Sequence, residues 1–276
     1  MAGRRPGAEG AGLGGAAERH TLFLVLLALL AAASWAALWA WSASPYARYL
    51  GHDGWSGSAF AALCRALPQG DVLVPALAHA AAWTLMIAAM MLPTTFPLLA
   101  LFARITASRP DARKLLTLVL IGFLGVWLAF GVLAHAADVG LRALSALSPA
   151  FALHGWIVGA AVLAVAGLFQ WSALKYRCLD ECRSPFGFVT SRWHGRAPAR
   201  EALAIGVDHG VFCVGCCWAL MAVMFVVGTG SIGWMLALAA LMAAEKNLPW
   251  GRRLATPTGV ALLGASAAIV AANALA

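Results

Sequence analysis

An all-α, polytopic bundle of transmembrane helices with about seven spans is the fold this sequence predicts. Three observations predict it. Hydrophobic residues make up 62% of the chain while charged residues make up only 11%. The mean hydropathy is +0.83. The apolar residues also gather into runs that reach or approach the ~20 residues a bilayer-spanning helix needs. A soluble core could not absorb that much apolar surface. The runs are rich in Ala, Leu and Gly and lack the alternation of a membrane barrel, so the helix is the spanning element that satisfies its own backbone.

In chain order, residues 1–20 form a Gly-, Ala- and Arg-rich tail expected to be disordered and basic, and residues 21–276 form a single helical domain. The spans fall near 21–42, 72–102, 115–137, 155–173, 202–228, 231–245 and 257–274, the sixth being short. The first follows Arg4, Arg5 and Arg19 as a signal peptide would, but its apolar run is too long for a cleaved leader and reads as a retained anchor. Between the spans, residues 43–71 and 174–200 are the longer connections, and no internal repeat is visible.

The nineteen Lys and Arg residues divide unevenly once seven spans alternate sides. One side collects Arg4, Arg5, Arg19, Arg104, Arg109, Arg113, Lys114, Lys175, Arg177, Arg183, Arg192, Arg196, Arg200, Lys246, Arg252 and Arg253. The other keeps Arg48, Arg65 and Arg142. That bias places the N-terminus inside and the C-terminus outside a bacterial inner (cytoplasmic) membrane, as a multi-pass protein. The pI near 9.7 then reports topology and contact with an anionic lipid bilayer. Nucleic-acid binding is not expected, because no basic stretch is interleaved with aromatics on a soluble module.

Chemistry concentrates in the fifth span, where Cys213-Val-Gly-Cys216-Cys217 puts three thiols inside an apolar run. At 100° per residue His209, Cys213, Cys216, Cys217 and Met224 share one helix face, so an imidazole, three sulfurs and a thioether can address one cavity. Buried Cys is often mere filler, but three in five residues beside a His suit a soft metal ion or thiol–disulfide chemistry. Asp208 lies on the flank, and Gly206 and Gly210 form a G-xxx-G step that lets a neighbouring helix approach.

The second span offers a complementary stripe of His79, Trp83, Met86, Met90, Pro93 and Pro97, with Met91 adjacent. Met stripes are commonly core filler, yet Met is also a ligand for cuprous ions, and Pro within a span frees carbonyls or kinks the helix. In the basic connection, Cys178 and Cys182 stack at i and i+4 if the fourth helix continues through them, forming a two-thiol loading site. Glu245 and Lys246 close the sixth span. They are read either as a solvated interfacial pair or, with Asp208, as part of an ion or proton path. His135 and Asp138 form a weaker pair of the same kind.

Four motifs then carry a resemblance: W-xx-M-xxx-MM-x-P from Trp83, K-xx-C-L-xx-C-R-x-P from Lys175, H-G-xx-C-x-GCCW-x-LM from His209, and Trp234-Met235 followed by Glu245-Lys246. Together they resemble the bacterial family of predicted metal-binding integral membrane proteins, which is built on a domain of unknown function. The resemblance implies an integral membrane protein with a metal site. Where that pattern carries a methionine before the Trp-Met pair, this chain has Gly228-Thr-Gly230-Ser231, so this turn supplies no sulfur ligand.

Three function classes fit these residues. One is binding, handling or transport of a soft metal, Cu(I) before Zn(II) because sulfur ligands dominate, with a metallochaperone or metalloenzyme as client. Another is a membrane thiol oxidoreductase cycling Cys213 and Cys216 through a disulfide, although outside the membrane only Cys64 is expected on the far face. The third is a structural subunit in which the same residues only pack. No Walker loop, Rossmann fingerprint, H-E-xx-H helix or nucleophile elbow is present, and no catalytic residue is assigned.

Overall fold

A computed structural model describes residues 8–43, 73–147, 155–227 and 231–275, and every regular element among them is helical. In chain order these are α1 (Ala8–Ser42), α2 (Leu73–Met90), α3 (Leu92–Ile105), α4 (Ala112–Leu147), α5 (Trp156–Phe169), α6 (Ala173–Arg183), α7 (Pro185–Thr190), α8 (Pro198–Val227), α9 (Ile232–Asn247) and, after a 3-10 turn at Gly251–Leu254, α10 (Ala255–Ala274). Four helices are long and apolar enough to cross a membrane, or up to six if each of two bent pairs counts as one span. The short helix α9 is not among them. Helix α1 begins at Ala8, inside the stretch expected to be disordered, because an Ala-rich sequence propagates a helix once one is nucleated beside it. The expected outer connection from 44 onward, with Cys64, Arg48 and Arg65, lies outside the described residues, as does the 228–230 turn. The side chains of His79, Asp138 and Arg142 lie outside them too.

The second span is broken at Met91, where α2 and α3 meet at 66°. Proline explains the break. Pro93 has no N–H to donate to the carbonyl of Ala89, and its ring clashes with a continuing helix. That freed carbonyl is taken by the indole of Trp35 on α1, whose Nε1 donates at 3.1 Å. The expectation that proline here frees a carbonyl therefore holds, with α1 as the partner. Thr94, in the first turn of the new helix, donates from its hydroxyl to the Met91 carbonyl at 2.8 Å.

The fourth span does not run straight through into the Cys178 segment. It bends by 63° between α5 and α6, where the Ser172 hydroxyl accepts from the Lys175 amide at 3.1 Å and starts a new helix. The bend returns α6 to the side of α8. Cys178 and Cys182 consequently keep their i, i+4 relation on a helix separate from the span.

Helix α8 is the centre of the bundle, and its most extensive pairing is with α4. At that crossing a side chain on Gly206 would sit 2.1 Å from the carbonyl oxygen of Val119, so only glycine allows the backbones this close. The G-xxx-G step read from the sequence is thus the α4–α8 contact. The connections holding the basic residues meet at one end. Arg109 lies 6.0 Å over the Trp193 ring, Arg183 donates to the Pro249 carbonyl at 3.1 Å, and Arg252 pairs with Asp180 at 3.0 Å. Glu201 completes that end by accepting from the amides of His194, Gly195, Arg196 and Ala197 at 2.7 to 3.0 Å.

Candidate metal-handling site

The thiols of α8 face inward. Cys213, Cys216 and Cys217 are each at most 2% exposed and lie in one buried cluster with Met86, Met90, Met91 and Met224. Met221, Met235 and Met242 complete a sulfur-rich lining around the same core. The stripe on α2 and the face of α8 were expected to converge, and residues of both lie in that one cluster. The methionine that reaches a thiol is Met91, at the break itself, whose Sδ lies 4.0 Å from the Cys217 Sγ. Met91 still donates its amide to the Ile87 carbonyl at 2.8 Å and keeps helical dihedrals, so it continues α2 up to the break.

Within α8 the thiols of Cys216 and Cys217 donate to the carbonyl of Cys213, at 3.1 and 2.8 Å. From α6, the half-buried Cys182 packs against the cluster that holds Cys213 and Cys216. Cys178 packs one turn earlier against Gly215, where a side chain would stand 2.6 Å from its sulfur. All five of these cysteines are free thiols. The inside pair and the buried trio therefore form one continuous group of sulfurs, ending in a half-buried Cys182.

Lys246 supplies the charge. Its ammonium is buried with the residue only 7% exposed, and it donates to Cys213 Sγ at 2.9 Å, to Thr94 Oγ1 at 3.4 Å and to Met91 Sδ at 3.9 Å. Glu245, its neighbour, faces a different partner. Both carboxylate oxygens accept from Lys175 Nζ at 2.8 Å, and Lys175 is fully buried and also donates to Gln170 Oε1. Arg183 donates to the Glu245 main-chain carbonyl and ties α6 to the end of α9. The solvated interfacial reading of Glu245 and Lys246 is thereby corrected: an ammonium and a carboxylate can both be buried because each has a partner from another helix.

Asp208 stands apart from the sulfurs, and His209 lies one turn from Cys213 among aromatic rings. Asp208 is about half exposed, at 46%, and pairs with Arg192 at 2.8 Å, while Arg192 stacks 3.9 Å over Phe188. His209 is buried between the rings of Phe123 and Phe188, with centroids at 5.7 and 5.6 Å, and its Nδ1 has no hydrogen-bond partner among the described residues. Sequence reasoning missed Lys175, Gln170 and Thr94. Lys175 had a signal, since it opens the K-xx-C motif already singled out, whereas nothing local marks Thr94.

Among the described residues, no three His, Cys, Asp or Glu side chains are disposed as a ready metal shell. The donors nevertheless fit a soft ion of low coordination number. Two sulfurs 4.0 Å apart at Cys217 and Met91 are closer than twice the ~2.3 Å of a metal–sulfur bond, so one ion can touch both without backbone movement. A thiol and a thioether are soft donors of the kind that hold Cu(I), Zn(II) or iron–sulfur centres.

Replacing Lys175 with Met should leave the Glu245 carboxylate buried without a partner and lower unfolding stability by about 3–5 kcal/mol. Adding Glu245→Gln in the same chain should restore most of the loss. Thermal unfolding of the purified single and double variants checks both steps.

A family model described as PpoB2, copper chaperone, matches residues 80–269. No curated protein and no solved structure matches the chain. The match covers more than half of the sequence, including every sulfur discussed above, and the chain belongs to this copper chaperone family.

Proposed function

We propose that this chain is a multi-pass membrane protein that holds Cu(I) as cargo on Cys213, Cys217 and Met91 and hands it to a copper-protein client. The observation that carries the reading is the 4.0 Å approach of Cys217 to Met91 beside the Cys213 thiol. Cys216 and Cys182 extend the site toward the basic end. Ligand exchange from Cys178 and Cys182 to the α8 thiols then moves the ion one sulfur at a time without exposing it to water. Thiols suit such traffic because each new bond replaces one of the same kind. Met86, Met90 and Met224 enclose the site in a sulfur-rich wall, and His209 remains a reserve nitrogen ligand one turn below Cys213.

Protein purified under reductant should retain close to one equivalent of Cu(I) and bind Zn(II) more weakly. Cys217→Ser and Met91→Leu should each weaken Cu(I) retention by more than the roughly 10–100-fold typical of losing an outer-shell partner. Competition against a coloured Cu(I) chelator measures this. A disulfide between Cys213 and Cys216 trapped in cells by alkylation, with no bound metal, would instead favour a thiol oxidoreductase.

For topology we propose seven crossings, α9 making the shortest, with the N-terminus inside a bacterial inner membrane. The gathering of the basic connections at one end supports this arrangement. A reporter active only in the cytoplasm should stay silent when fused after Ala276. Activity there would refute the orientation or the count.

A further inference from the structure

Lys246 is an unusual neighbour for metal ligands, because a cation beside a sulfur repels an incoming metal ion unless the overall charge demands it. Its hydrogen-bond partners are Cys213, Thr94 and Met91, all residues of the candidate site or its rim. The nearby carboxylate of Glu245 does not neutralise it, since both oxygens of that group are engaged by Lys175. A fixed positive charge is thus built into the wall that the sulfurs share.

We propose that Lys246 is a specificity-determining residue that sets the site for a univalent soft cation over a divalent one, an inference that rests on the copper-handling reading above. The charge count gives the reason. Two thiolates, at Cys213 and Cys217, with one univalent ion and one ammonium sum to zero. The same ligands with a divalent ion leave a net positive charge in an apolar interior, where an uncompensated charge is costly. Coordination number points the same way. A divalent ion such as Zn(II) takes four ligands, and the ammonium holds one of the positions beside Cys213. No three-residue set of His, Cys, Asp or Glu among the described residues is disposed to replace it.

The test compares full-length wild type, Lys246→Met and Lys246→Arg, each equilibrated with Cu(I) or with Zn(II) buffered by competing chelators. A unit charge ~4 Å from the ion, at an effective dielectric constant near 20, repels a divalent ion more than a univalent one by a factor of roughly a hundred or more. Lys246→Met should therefore tighten Zn(II) far more than Cu(I), moving the preference between them roughly a hundredfold toward Zn(II). Lys246→Arg, which keeps the charge, should hold the wild-type order and also shows that a folded protein survives change at this position. A Lys246→Met protein whose preference for Cu(I) over Zn(II) matches wild type, or that loses both metals in parallel, overturns this inference while leaving the copper reading standing. Wild-type protein that retains no Cu(I) overturns both.

Discussion

The contact between the Lys246 ammonium and the Cys213 sulfur, 2.9 Å long and sealed inside an apolar bundle, is the constraint on which the rest of the structure depends. An isolated ammonium cannot be left in such a medium, and water is not there to solvate it. It needs anionic or strongly polarisable partners, and the described structure gives it a thiol, a hydroxyl and a thioether. Two of those three flank the break at Pro93: Met91 sits at the end of α2, and Thr94 lies in the first turn of the next helix.

A second buried cation keeps the first available. Lys175 binds both oxygens of Glu245, so the carboxylate adjacent in sequence to Lys246 is spent elsewhere. Lys175 reaches that point because the fourth span bends at Ser172 and folds α6 back along α8. The same fold packs Cys182 against the cluster that holds Cys213 and Cys216. Arg183 fastens α6 to the end of α9 through main-chain carbonyls, which a helix terminus leaves free. One bend therefore both neutralises Glu245 and extends the sulfur path toward the edge of the bundle.

Much of this was legible in the sequence, and the limits have physical causes. Helical class followed from hydropathy alone, and the α8 face followed from the 3.6-residue period that puts Cys213, Cys216 and Cys217 on one side. The G-xxx-G step correctly marked a close helix approach because glycine's lack of a side chain is a local property. Met91 was a candidate, but periodicity put Met86 and Met90 on the stripe and left Met91 adjacent to it, whereas the methionine within 4.0 Å of Cys217 is Met91. Glu245 and Lys246 were ambiguous for a different reason. Adjacent charges at a helix end look solvated until the partners that bury them, Lys175 and Cys213, arrive from elements far along the chain. Asp208 shows the converse, since its surface partner Arg192 separates it from the sulfurs it neighbours in sequence.

X-ray absorption spectroscopy of the Cu(I)-loaded full-length protein tests the central claim most directly. The account predicts a shell of two or three sulfur scatterers at about 2.3 Å or slightly less, comparable with other metal–sulfur bonds, and an edge characteristic of low-coordinate Cu(I). Replacing Met91 with Leu should remove one longer sulfur contribution and leave the thiolate distances unchanged. A shell dominated by nitrogen or oxygen, or one that does not change when both Cys217 and Met91 are replaced, would contradict it.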